Sequence, residues 1–206
     1  MNDPGGDHCH LGHRKDHSNG FIPALYQFLR RSFAYPDTTF VATVQAELEN
    51  IVSNRVKPVC SQVDRWQQSL QVLSQMPLDR VQGEYTRLFI TGYPTTPCPP
   101  YESAYRHGVL LGDVTEELVG TYRHFGLEVV ADNPPDHLAV ELEFMIYLSR
   151  LHSLLESPAD QEAVEQAQQA FLKDHLRQWL PRFATDLVAH ARLDFYRVLG
   201  EILLVI

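Results

Sequence analysis

Asn133-Pro134-Pro135-Asp136-His137-Leu138 stands before the longest helical pattern in the chain. Asparagine can cap free backbone N–H groups, proline fits the first turn of a helix, and an acid is attracted to the positive end of the helix dipole. The apolar residues that follow recur every three or four positions to about Leu155. The stretch therefore predicts a long helix with polar side chains around its first turn.

Similar apolar spacing recurs along most of the chain and predicts further helices. They cover about residues 21–35, 38–55, 61–75, 77–89, 115–125, 159–179 and 181–204, with Pro181 opening the last one. No alternating strand pattern interrupts them. We therefore predict an all-α, helical-bundle-like single domain of about eight or nine helices over residues 20–206. Residues 1–19 have little apolar surface to bury and are predicted to form a disordered, His-rich tail.

A proline-rich segment, residues 90–103, lies between two of these helices. It contains four prolines and a glycine, so it is predicted to be an ordered surface loop. Aromatic side chains on and around it are Tyr85, Phe89, Tyr93, Tyr101 and Tyr105. Such a rigid loop can form a groove for a peptide, although the same rings could instead pin the loop to the core.

The composition is typical of a globular protein that does not bind nucleic acid. The 206 residues carry a net charge of −9, whereas phosphate binding needs a concentrated basic face. Cys9, Cys60 and Cys98 are widely spaced and suit a reducing cytosol. The sequence shows no signal-peptide pattern and no apolar run long enough to span a bilayer. We therefore expect a cytoplasmic protein without stable membrane insertion.

Asp136, His137 and Glu141 form the clearest polar constellation. Residues four apart share one face of a helix, so His137 and Glu141 are expected to be neighbours. The group could transfer protons, form part of a metal site or anchor a cationic ligand. It could also be structural, with Asp136 capping the helix and Glu141 orienting the histidine.

The N-terminal tail holds a second group of candidate ligands. His8, Cys9, His10 and His13 are ligand types suited to zinc, nickel or copper. A tail without fixed geometry is a weak basis for a specific metal site, so no cofactor is predicted. The sequence contains neither a glycine-rich phosphate loop nor a nucleophile elbow. These observations favour a helical binding module over an enzyme.

Several stretches resemble the TorD/DmsD/NarJ superfamily of redox enzyme maturation chaperones. Glu84–Phe89 followed by Cys98–Ser103 looks like that family's helix end and proline loop. Residues 133–138 are similar to its E-P-x-D-H motif, with Asn133 where the family often has Glu. Phe195–Glu201 is similar to the closing helix of the DmsD branch, and the matches together span about residues 80–201.

The resemblance implies an all-helical chaperone that binds the twin-arginine signal peptide, or the apo form, of a molybdenum-containing oxidoreductase of the DMSO reductase type. Such proteins assist cofactor insertion and delay export, and molybdenum cofactor biosynthesis proteins are further candidate partners. The family's leader-binding Asp-His pair and preceding proline correspond to Pro135, Asp136 and His137. The other expected groove residues are Tyr85, Phe89, Tyr101, Glu102 and Glu141.

Two other functions stay open on the residues alone. The His/Cys-rich tail would suit a metallochaperone, and Asp136, His137 and Glu141 would suit a metal-dependent hydrolase. The hypothesis favoured by the resemblance is a non-enzymatic chaperone. In it, the leader arginines pair with Asp136 and with Glu102 or Glu141, because guanidinium groups bind carboxylates and stack on aromatic rings.

Overall fold

The computed structural model describes residues 18–53, 61–108, 110–130 and 133–204. The helices found there confirm the predicted all-α fold. They are α1 Ser18–Ser32, α2 Phe40–Ser53, α3 Ser61–Ser74, α4 Leu78–Tyr85, α5 Glu102–His107, α6 Asp113–His124, α7 Leu138–Leu154, α8 Pro158–Phe171, α9 Arg177–His190 and α10 Asp194–Leu203. Two π-helical turns, Thr86–Ile90 and Leu172–Leu176, extend α4 and join α8 to α9. No helix in these ranges is long and apolar enough to cross a membrane.

The core forms where α7, α9 and α10 meet their neighbours. α7 packs against α1 and α8, while α10 packs against α9 and α3. Most side chains of α7 up to Ser149 are buried, as expected for a helix that is apolar on most of its surface. An aromatic cluster adds to the core between α9, α10 and the first π-helical turn. Its rings, with centroids 5.4 to 6.3 Å apart, are Phe33, Phe89, Phe183 and Tyr196.

The predicted division of residues 159–204 is wrong. Pro181 lies inside α9 rather than at a helix start, and the chain leaves the helix only at residues 191–193. A proline inside a helix removes a hydrogen bond and costs about 3 kcal/mol. Trp179 and Phe183 on either side of it are fully buried, and burial of each such ring contributes about 2 kcal/mol or more. Tertiary packing therefore overrides the local preference of proline.

α7 starts later than the sequence predicts. Its N-cap is His137, whose Nδ1 accepts a backbone N–H of the first turn at 3.1 Å. Asn133 does not cap the helix, because Pro134-Pro135 follows it and residues before proline disfavour helical geometry. Asp136 does not cap it either, since its carboxylate accepts hydrogen bonds from Ser103. The structural alternative that made Asp136 the cap is therefore wrong.

The proline-rich segment is an ordered loop, as predicted, over residues 91–101. The Cys98 N–H donates to Leu88 O at 2.9 Å, and the Cys98 side chain is fully buried. Gly92 is required by the tight course of this loop, because a Cβ there would lie 2.7 Å from Thr95 O. The short helix α5, which the sequence pattern does not predict, follows directly and carries Glu102 into the interior.

Candidate functional site

The end of the proline loop and the start of α7 are in direct contact. Backbone hydrogen bonds of 2.9 Å join residues 100–102 to residues 136–138 in both directions. Tyr101 and His137 thereby form an isolated antiparallel β-bridge. The two motifs that carry the family resemblance thus meet at one junction.

The Asp136 carboxylate is fully buried at this junction. Its Oδ2 accepts a hydrogen bond from the Ser103 N–H at 3.2 Å and another from the Ser103 hydroxyl. Ser103 Oγ in turn accepts the Leu111 N–H at 3.0 Å. Asp136 Oδ1 is buried without a hydrogen-bond partner among the described residues. Asp136 therefore ties the start of α7 to α5 and to the loop before α6.

His137 is a neutral helix cap in this arrangement. Burial lowers its pKa to about 4, against a smaller opposing effect of the Asp136 charge. Since Nδ1 accepts the capping hydrogen bond, the ring proton of the neutral imidazole lies on Nε2. The ring also makes an edge contact with Tyr101, with 5.2 Å between centroids. Tyr101 itself is half-buried, so it borders the accessible surface.

Glu102 and Glu141 are fully buried beside the junction. Glu102 pairs with Arg106 Nη1 at 2.7 Å and with His175 Nδ1 at 3.1 Å. Glu141 accepts a hydrogen bond from Trp179 Nε1 at 3.2 Å. Burial first, and then the nearby Glu102 charge, raise the pKa of Glu141 well above its usual value. Burial therefore favours the protonated form of Glu141. Its hydrogen bond goes to Trp179, so the alternative in which it orients His137 is wrong.

Tyr85 and Phe89 lie in the aromatic core instead. Tyr85 OH donates to Phe33 O at 3.0 Å, and Phe89 contacts Phe183 and Tyr196. Both predicted groove aromatics are buried. The predicted site residues that the structure brings together are Tyr101, Glu102, Pro135, Asp136, His137 and Glu141.

Two clefts open on either side of residues 127–130. The Pro135 cleft, of about 520 Å³, is lined by one face of α6 together with Pro134 and Pro135. The α1–α7 cleft, of about 560 Å³, lies between α1, α7 and the same connecting segment. Tyr122 borders both clefts, and its hydroxyl donates to Pro135 O at 3.0 Å. The motif prolines therefore form part of a concave surface.

Sequence reasoning missed the side chains that hold the junction together. Tyr122 and Trp179 follow the helical apolar spacing of ordinary core residues, and Ser103 falls at the end of the predicted loop. His175 lies on the second π-helical turn and reaches Glu102 from 73 residues away. No local signal in the sequence links such distant partners.

The candidate metal ligands His8, Cys9, His10 and His13 lie outside the described residues. Within the ranges that the structure describes, no group of three or more His, Cys, Asp and Glu side chains could hold a metal ion.

Comparison with known proteins decides the family. A family model described as the nitrate reductase delta subunit matches residues 56–185, more than half of the chain. The chain belongs to this family. Its relatives include chaperone proteins named TorD, one of them from Vibrio cholerae with 34% identity over 88 residues, 41% of this chain and 40% of the relative. The resemblance read from the proline loop and the Asp-His motif is thereby confirmed.

Other relatives are named after the enzymes whose assembly they assist. The perchlorate reductase assembly chaperone protein of Dechloromonas aromatica is 28% identical over 190 residues, which cover 86% of this chain and 83% of the relative. The chlorate reductase assembly chaperone protein of Ideonella dechloratans is 33% identical over 114 residues, which cover 54% of this chain but only 59% of the relative. The crystal structure of a redox enzyme maturation protein from Archaeoglobus fulgidus is 25% identical, with a TM-score of 0.62 over 96% of this chain and 97% of that chain.

Proposed function

We propose that this protein is an assembly chaperone for a molybdenum-containing oxidoreductase of the DMSO reductase type. It binds the twin-arginine signal peptide of the apo enzyme in the cytoplasm, assists cofactor insertion and delays export. The support is family membership together with relatives named for the assembly of chlorate and perchlorate reductases. Proteins of molybdenum cofactor biosynthesis are further proposed partners. The proposed role is binding and not catalysis.

The observation that carries the proposal is the pair of clefts beside residues 127–130. Each has a volume in the range of about 300–1,000 Å³ that is usual for binding pockets. Their walls include the apolar side chains of Val119, Val130, Val140 and Ile146. A signal peptide contains an apolar segment, and an apolar groove with charged edges suits such a ligand. We assign the apolar segment of the leader to these clefts.

The Asp-His motif has a positioning role in this proposal. Asp136 and His137 hold the proline loop against α7, and the neighbouring Pro135 forms a cleft wall. Glu102, Asp136 and Glu141 are 0% exposed, so a leader arginine could touch them only if the junction opened. Tyr101 is half-buried and remains a candidate contact at the surface. Tyr85 and Phe89 instead stabilise the aromatic core.

A binding experiment tests the function and its location. A fluorescent synthetic leader, with an arginine pair followed by an apolar segment, is titrated into the full chain and followed by anisotropy. Saturable binding is expected. Val130→Lys should weaken it about tenfold, because burial of a valine contributes about 1.5 kcal/mol or more. Val130 is 89% exposed, so this change should not affect folding.

The matched control is Val72→Lys on α3. Val72 is also exposed, at 55%, but lies outside both clefts. Its replacement should leave the dissociation constant unchanged. A wild-type protein that does not bind the leader would refute the proposed function. Equal losses in the two variants would instead show that the clefts are not the site.

A further inference from the structure

The α1–α7 cleft is lined by three arginines, although the net charge of the chain is −9. Arg30 on α1 pairs with Glu143 on α7, with 3.3 Å between Nη2 and Oε1. Arg31 and Arg150 are exposed, and neither forms an ion pair with a residue in the described ranges. The cleft therefore carries two unpaired cationic side chains on a molecule that is acidic as a whole.

Helix stability accounts for only one of these two charges. Arg31 lies in the last turn of α1, where a positive charge interacts favourably with the helix dipole. Arg150 lies outside the last turn of α7, and this effect fades beyond that turn. Nothing in its own helix therefore explains why a charge stands at position 150 on the wall of a cleft.

The two unpaired arginines lie at different points along the cleft. Glu143, Tyr147 and Arg150 recur at helical spacing on one face of α7, and all three line the cleft. With a rise of about 1.5 Å per residue, Arg150 is about 10 Å along the axis from Glu143. Arg31 is at the Glu143 end, because it follows Arg30, the partner of Glu143. An elongated ligand suits this spacing better than a compact anion, and about three residues of extended peptide cover it.

Apolar side chains line the cleft beside these charges. They include Leu127, Val130, Val140 and Ile146. Val130 is 89% exposed, so a ligand that covered it would remove apolar surface from water. Glu128 adds an opposing charge, but it lies on the connecting segment and also lines the Pro135 cleft. The ligand chemistry that fits the cleft is therefore both apolar and anionic.

We propose that the α1–α7 cleft binds a peptide segment of a partner protein in which acidic side chains stand three residues apart beside apolar ones. The guanidinium groups of Arg31 and Arg150 donate charge-assisted hydrogen bonds to the two carboxylates. The apolar side chains of the peptide pack on Val130 and Val140. This inference rests on the proposed function only in taking a peptide as the occupant of the cleft.

The charge preference also restricts how a leader peptide enters the cleft. Arg31 and Arg150 repel a second pair of arginines, because like charges close together raise the energy. The apolar segment of a leader can lie in the cleft, whereas its arginine pair is directed away from it. Acidic residues of the partner that stand next to the apolar segment add affinity.

The test uses a fluorescent synthetic peptide without arginine, in which leucines separate two glutamates that stand three residues apart. Its binding to the full chain is followed by anisotropy, beside that of a peptide with glutamine at both positions. The glutamate peptide is expected to bind the wild type about tenfold more tightly than the glutamine peptide. Arg31→Gln/Arg150→Gln should abolish this difference, which completes a double-mutant cycle.

The matched control is Arg80→Gln/Arg192→Gln. Both arginines are exposed, form no ion pair with the residues that the structure describes, and lie outside both clefts. Either double variant removes two positive charges and changes the net charge from −9 to −11. The control should keep the preference for the glutamate peptide within about twofold of the wild type, because distant exposed charges are screened.

The outcomes separate this inference from the proposed function. Glutamate and glutamine peptides that bind equally, or that do not bind, refute the inference, whereas the leader titration still decides the proposed function. A leader that does not bind, beside a glutamate peptide that does, refutes the proposed function and supports the acidic-peptide site. Equal losses in the two arginine variants refute the cleft as that site. Displacement of the peptide by an equal concentration of inorganic phosphate would show a small-anion site and also refute the inference.

Discussion

At the scale of single residues, His137 makes stability depend on pH. A histidine in an unfolded chain has a pKa near 6.5, and burial lowers that of His137 to about 4 in the folded protein. Below pH 6.5 the unfolded state binds a proton at His137, whereas the folded state binds it only near pH 4. The free energy of unfolding is therefore fully retained above pH 6.5 and declines between these values, by about 2 kcal/mol at pH 5.

The variant His137→Asn isolates this effect. Asparagine is a good N-cap residue and does not titrate. Urea unfolding at pH 7.5 and pH 5 should show that the wild type loses about 2 kcal/mol more than the variant. Glu141 contributes in the opposite direction, because its raised pKa lets the folded state keep a proton that the unfolded state releases. This contribution is common to both proteins and cancels. Equal losses would mean that His137 is not a buried, neutral cap.

The same residues show how far local pattern predicts a site. The sequence predicts polar side chains around the first turn of a long helix, and α7 follows the motif as expected. The partners of these side chains come from distant elements. Asp136 bonds to Ser103, 33 residues away, and Glu141 to Trp179, 38 residues away. Such pairs depend on how α5, α7 and α9 pack together, which no local spacing encodes.

At the scale of helices, two glycines should respond in opposite ways to alanine. Gly83 is an exposed residue of α4, and a Cβ there would meet nothing within 4 Å. Gly200 lies in α10 against α9, where a Cβ would approach Ala184 O and Val188 Cγ2 at 2.9 Å. Gly83→Ala should stabilise the fold by about 0.5–1 kcal/mol, because it reduces the freedom of the unfolded chain.

Gly200→Ala should destabilise the fold by about 1–3 kcal/mol through overpacking. Urea or thermal unfolding of the two variants beside the wild type measures both effects. If both substitutions were stabilising, α9 and α10 would not be packed as closely as the structure shows. The pair also separates helix propensity from packing, since the same chemical change is made at both positions.

Helices are predicted well where a regular apolar repeat runs over many residues, and poorly where tertiary packing decides the structure. The pattern predicts α3 within about one residue at either end, because its apolar stripe is regular. It misses α5, which is only six residues long. Charged residues such as Glu102 and Arg106 stand in this helix where a longer helix would show an apolar stripe. It also misplaces the break near Pro181, since nothing local reveals that Trp179 and Phe183 are buried together. The π-helical turns likewise have no signature in the apolar spacing.

At the scale of the whole molecule, the acidity of the chain suits the cationic leader peptide of the proposed function. The net charge of −9 disfavours polyanions and attracts a cationic peptide from a distance. Composition predicts the sign of the charge that a partner should carry, but it does not locate the binding surface. Only the fold shows that Pro134 and Pro135 form part of the wall of a cleft beside α6. Glu102, Asp136 and Glu141, the carboxylates that the motif suggests, are buried and so contribute little surface for a cationic peptide.

Long-range attraction predicts that leader association depends on ionic strength. The screening length falls from about 10 Å at 0.1 M salt to about 3 Å at 1 M, so the association rate constant should fall about tenfold across this range. Stopped-flow anisotropy with the full chain measures it. Glu162→Gln/Glu165→Gln, on the exposed face of α8, changes the net charge from −9 to −7, so a global charge effect should lower the rate constant of this variant and flatten its dependence on salt. A rate constant that does not respond to salt in either protein would mean that electrostatic steering plays no part in leader binding.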